Sequence, residues 1–169
     1  MKALYILFIL TMSAFSCISS QERKEIEINN SIYYLTASPA KLYSSKNVLQ
    51  AQDSRSKCPY IEIEQYEENP FSDLVKRVFT KDRIKELAQN NKGFGLVLIC
   101  NQDGLVKEVT YLFYSTTVTL NGDNNSISYN EIGLFEKEIK RYKFRLSNTC
   151  EDVKYYTISM PCQFKKYLN

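Results

Sequence analysis

The sequence predicts an α+β domain: a small antiparallel sheet with two helices packed on one face, in the order helix, strand, strand, helix, strand, preceded by an extra amino-terminal β-rich segment. Three observations carry that prediction. Two stretches repeat apolar residues at helical spacing, Leu74, Val75, Val78 and Phe79 in one, Ile132, Phe135, Ile139 and Tyr142 in the other. Two apolar runs flank Asp103-Gly104, a pair that tolerates the positive φ of a tight hairpin. Tyr156, Ile158, Met160, Cys162 and Phe164 alternate with polar residues, the period of a half-buried strand.

The chain begins with a different kind of segment. Met1-Lys2 gives a short positive start, Ala3 to Phe15 is almost unbroken apolar chain, and Ser16, Ser19 and Ser20 precede the abruptly charged Gln21-Glu22-Arg23-Lys24-Glu25. That is the pattern of a secretion signal, predicted over residues 1–20. The run is short of the roughly 20 apolar residues that a spanning helix needs. Ala14-Phe15-Ser16-Cys17 resembles a bacterial lipobox, although Ala14 stands where that pattern prefers Leu. The resemblance implies lipidation of Cys17 and a chain held in the periplasm or at the outer membrane. Cleavage after Ser20 would instead release a soluble secreted chain. A single acyl chain anchors weakly, so stable attachment needs several.

Residues 21–169 then read as one domain, about 150 residues and long enough to bury a real core. Ile26 and Ile28 alternate with charged residues, Asn29-Asn30-Ser31 marks a turn, and Ile32 to Leu35 returns as a strand. Ser38-Pro39 has the form of a helix start. Residues 50–57 form a polar loop, and Ile61 and Ile63 alternate with Glu62 and Glu64 as a strand would. After Pro70, Ser72 is placed to cap the first helix, and Thr80 to restart it with Ile84, Leu87 and Ala88 before Asn90-Asn91-Lys92-Gly93 ends it. Phe94 to Cys100 reads as a strand buried on both faces, Leu105 to Tyr114 as its hairpin partner. Ser128-Tyr129-Asn130-Glu131 has the form of a capping box opening the second helix. Pro161, unable to donate to a ladder, assigns the last strand to an edge or a bulge.

Composition excludes more chemistry than it supports. Histidine is absent, which removes Ser-His-Asp and Cys-His catalysis, His-ligated zinc and imidazole acid–base chemistry. The net charge is only +3, which argues against nucleic acid as a partner, since phosphate affinity comes from clustered Lys and Arg. The run Lys137, Lys140, Arg141, Lys143, Arg145 reads as the solvated face of a helix. Asn121 to Asn125 lacks the distant Glu of a calcium loop, so no metal and no cofactor is predicted. Cys58, Cys100, Cys150 and Cys162 have no CxxC spacing. As an even number in an exported chain they could form two disulfides, while Cys100 and Cys162, on apolar strand faces, also fit reduced core residues.

The hairpin and last strand together carry a resemblance. Gln102-Asp103-Gly104-Leu105-Val106-Lys107-Glu108-Val109 resembles the x-D-G-x-V-x-x-V hairpin of TonB-type carboxy-terminal domains. Met160-Pro161-Cys162-Gln163-Phe164 resembles that family's final strand, and Phe144 fits the aromatic after its second helix. The likeness spans about residues 70–168. There is no Pro-rich spacer, and Ser115-Thr116-Thr117 stands where the family has Ser-Ser-Gly. The resemblance therefore implies a fold and a binding habit, not energy transduction across an envelope.

The function expected from these readings is that of an exported, non-catalytic binding or adaptor domain. Its partner would be another envelope protein, met at the edge strand holding Met160, Pro161 and Cys162, and the lipid on Cys17 would be its one contact with the membrane. The alternative is a small exported hydrolase working on glycan with carboxylates drawn from Glu62, Glu64, Glu67 and Glu68.

Overall fold

The computed structural model of the chain describes residues 23–37, 40–49, 62–64, 70–113 and 126–168. Strands β1 (Arg23–Ile28) and β2 (Ser31–Ala37) form a tight hairpin, with Ile28 opposite Ser31. Between them Asn29 and Asn30 stand at φ 48° and 61°, the left-handed region that a two-residue hairpin turn demands and that Asn tolerates. Next come β3 (Ala40–Ser44), β4 (Glu62–Ile63), helices α1 (Ser72–Val78) and α2 (Lys81–Gln89), and strands β5 (Gly93–Asn101) and β6 (Val106–Phe113). Helix α3 (Tyr129–Ile139), β7 (Leu146–Ser147), β8 (Tyr155–Gln163) and a 3-10 turn over Phe164–Tyr167 complete the described chain.

The sheet is larger than the three strands predicted for the carboxy-terminal part. It has six antiparallel strands in the order β1-β2-β3-β6-β5-β8, while β4 and β7 pair separately. Strands β1, β2 and β3 of the amino-terminal β-rich segment are therefore part of the main sheet, joined to it where β3 meets β6 with Leu42 opposite Tyr111. The predicted helix start at Ser38-Pro39 lies outside the described residues, and the chain immediately after it forms strand β3. Leu42 and Ser44 are buried while Lys41 and Tyr43 are only partly so, an alternation of period two that pairing on both sides holds extended.

Helix boundaries follow local chemistry. Ser72 is the first residue of α1 rather than its cap; Phe71 holds the cap position with no side-chain hydrogen bond. At Phe79 the backbone turns extended (φ −112°, ψ 133°), and the Thr80 side chain accepts from the Arg83 N–H at 3.3 Å to begin α2. The capping box at α3 is complete: Ser128 Oγ accepts from Glu131 N at 3.2 Å, and Glu131 accepts from Ser128 N at 2.7 Å. Arg83 Nε meets Glu131 Oε1 at 2.7 Å and Arg83 Nη2 meets Ser126 O at 2.6 Å, tying α2 to the start of α3.

The three described helices lie on one face of the sheet, over Phe94, Leu96, Leu98, Tyr111 and their neighbours. Phe94 contacts Phe135 of α3 edge-on at 5.2 Å and Tyr111 at 5.5 Å between ring centroids. Such pairs add about 0.5–1.5 kcal/mol beyond their burial. Strand β5 is not buried equally on both faces: Val97 and Ile99 are half-buried, so only the helix-covered face is core throughout.

The cysteines divide. Cys100 stands opposite Tyr156, and Cys162 opposite Phe94, so the two lie six residues apart along one ladder. At about 3.3 Å per residue that is far beyond the ~7 Å a disulfide allows between Cα atoms. Both are free, buried thiols that desolvation pushes up to about 12, so of the two readings open from sequence they take that of reduced core residues and not that of bridges. Cys150 is disulfide-bonded. Cys17 and Cys58 lie outside the described residues.

Candidate functional site

The feature that most resembles a working surface is the free side of β8. Its sequence YYTISMPCQ alternates with the pleat: Tyr156, Ile158, Met160 and Cys162 are buried on the helix face, while Thr157, Ser159, Pro161 and Gln163 are exposed. All nine residues pair with β5, from Gly93 opposite Gln163 to Asn101 opposite Tyr155. No strand flanks β8 on its other side among the described residues.

Pro161 fixes which backbone groups face outward. A residue without an N–H cannot sit in a hydrogen-bonded pair, so Pro161 opposite Gly95 occupies a non-bonded position and turns its nitrogen to the free side. Phe164 N donates to Lys92 O at 3.4 Å, which places the even-numbered residues on the β5 side of the same alternation. The N–H groups of Thr157 and Ser159 and the carbonyls of Thr157, Ser159 and Pro161 therefore point away from the sheet.

This edge carries no charged residue between Tyr155 and Gln163. Natural sheets usually defend edges with charge, proline or shortness. The opposite edge shows that defence: β1 is six residues long and holds Arg23, Lys24, Glu25 and Glu27, with Arg23 resting 4.2 Å over the Tyr34 ring. On β8 the proline blocks one donor position and leaves the stretch Tyr155–Ser159 open.

Both ends of the strand are held. The Tyr156 hydroxyl accepts from Cys150 N at 2.7 Å and lies 3.2 Å from Cys150 O, and the Gln102 amide donates to Cys150 O and Glu151 O at 3.2 and 3.0 Å. The β5–β6 turn, the disulfide-bonded Cys150 and the start of β8 thus form one anchored corner. At the far end the Tyr167 hydroxyl hydrogen-bonds the Cys162 thiol, and Phe164 meets Phe79 at 4.9 Å. A strand fixed this way presents a preorganised ladder.

Of the residues marked from sequence at this edge, only Pro161 reaches the exposed side; Met160 and Cys162 turn into the core. The outward residues Thr157 and Ser159 follow from the same alternation. Glu62 and Glu64 are exposed on and just after β4, and Glu67, Glu68 and the loop at 121–125 lie outside the described residues. Lys140 and Arg141 pair with Glu136 and Glu138 at 2.7 and 3.2 Å. No group of three or more potential metal ligands gathers among the described residues, and no helix among them is long and apolar enough to cross a membrane.

No protein-family profile and no curated protein matches the chain. Among solved structures, a DUF5043 family protein from Bacteroides uniformis is similar over 89% of this chain and 96% of its own, with a TM-score of 0.59 and 13% sequence identity. At that identity the likeness is one of fold.

Proposed function

We propose that the chain is an exported, non-catalytic binding or adaptor domain of the bacterial envelope, lipid-anchored through Cys17, that takes a strand of another envelope protein along β8. The observation that carries this reading is the uncharged, nine-residue edge held rigid at both ends. Adding a strand to such an edge gains backbone hydrogen bonds at Thr157 and Ser159, while the exposed side chains of Thr157, Ser159 and Gln163 set selectivity. The resemblance of the Gln102–Val109 hairpin and the Met160–Phe164 strand to TonB-type carboxy-terminal domains supports the same binding habit. The amino-terminal apolar run and Ala14-Phe15-Ser16-Cys17 supply the grounds for export and anchoring.

Photo-crosslinking in the native host tests it. A photoreactive residue replacing Ser159 should give a discrete adduct in the membrane fraction, lost when Thr157→Lys adds a charge beside it. The same probe at Glu25 on β1 should give none. Equal labelling from both edges, or no adduct from Ser159 in a folded protein, would refute strand addition at β8.

A further inference from the structure

A concave surface of different chemistry adjoins the carboxy-terminal turn that follows β8. A cleft of about 730 Å³ opens beside α2 and the carboxy-terminal turn. Its apolar lining comes from the exposed Leu168 and from the edges of Phe79, Ile84 and Tyr167, which are otherwise buried in the core. Among the described residues its charged lining is Lys76, Lys81 and Lys85 against Asp82. We infer that this cleft binds a single-chain anionic amphiphile, its tail on the apolar lining and its anionic head between Lys81 and Lys85.

Three features converge on that occupant. The volume falls within the range of about 300–1,000 Å³ typical of small-molecule pockets, which are mostly apolar with a few placed polar groups. Leu168 in the lining is 47% exposed, one of few large apolar side chains left to solvent among the described residues, and a bound tail would cover it. The lysine arrangement works against the helix that bears it. Lys81 and Lys85 are four residues apart on α2, a spacing at which like charges repel, and Lys81 stands in the first turn, where the helix dipole disfavours a cation; the single Asp82 in that turn offsets part of this. Both penalties relax when an anion sits between the ammonium groups. A neutral ligand would relieve neither, and a cationic one would add to them.

The test is a titration of the purified chain with dodecanoate below its micellar concentration, read by calorimetry and by the methyl resonances of Leu168 and Ile84. Saturable one-to-one binding is expected, with the methyl shifts following the same isotherm. Dodecyl maltoside, with the same tail and no charge, should bind about tenfold more weakly or worse, as should dodecanoate to a Lys81→Gln, Lys85→Gln variant. Acetate, the head without the tail, should not compete. These lysines are exposed, so the variant should fold as the parent does and melt at the same temperature or slightly above it, relieved of the Lys81–Lys85 repulsion, and Thr157→Lys on β8 should leave dodecanoate binding unchanged. Equal affinity for the neutral and anionic amphiphiles, indifference to the lysine substitutions, or displacement of dodecanoate by an acidic Phe-containing peptide at far lower concentration would each overturn the inference.

Discussion

Gly104 shows how much one residue can carry. It holds φ 80°, its carbonyl accepts from Phe144 N at 3.0 Å, and a Cβ placed on it would overlap the Phe144 carbonyl oxygen. Gly104→Ala meets two obstacles at once, a left-handed backbone and a filled neighbour, and should cost about 3 kcal/mol. Urea unfolding would read that as a lower midpoint with an unchanged slope. A loss under about 1 kcal/mol would mean the turn can move off Phe144. The turn itself was legible because Asp103-Gly104 is a local signal. The close approach to Phe144 was not, since it depends on residues far apart in the chain. The cysteines teach the same lesson: alternation put Cys100 and Cys162 on apolar strand faces, but only the β5–β8 register shows that they are too distant to bridge.

Among elements, legibility follows length and period. Strands β5, β6 and β8 and helix α3 each span enough residues to show a repeat, and each lies where the apolar spacing predicted it. The break between α1 and α2 was visible as Thr80, a residue that can accept a hydrogen bond from its own helix. Strand β3 was not visible. Five residues after a Ser-Pro pair offer a helix start as readily as a strand, and pairing with β2 and β6 decides between them. Strands β4 and β7 are two residues each, below any period, and exist because they meet each other. For β8 the alternation gave the strand and Pro161 gave the edge. The functional consequence needed one more step, that Met160 and Cys162 face inward and the outward donors belong to Thr157 and Ser159.

At the scale of the whole molecule, one aromatic-rich core serves a sheet that the sequence divided into two regions. That core also buries ionisable groups in their neutral forms. Desolvation raises the Cys100 and Cys162 thiols from 9.0 to about 12, and burial likewise raises the phenols of Tyr33, Tyr111 and Tyr167. Below the unfolded thiol value both states keep their protons and this contribution is complete. Between about 9 and about 12 the unfolded chain releases protons that the folded chain retains, so stability falls as pH rises. Urea unfolding from about pH 8 to about pH 11 should show a steady decline, shallower in a Cys100→Ala, Cys162→Ala variant. A flat profile would mean that these groups ionise freely in the folded protein.

The sheet is closed by charge at β1 and open at β8, and residue-resolved amide hydrogen exchange of the purified chain tests that asymmetry most directly. Ile158 and Met160, bonded to β5, should exchange slowly, and Thr157 and Ser159, facing outward, should exchange fast. Protection of Thr157 and Ser159 equal to that of their neighbours in the isolated protein would mean that the edge is already occupied, and the proposed binding surface would not exist.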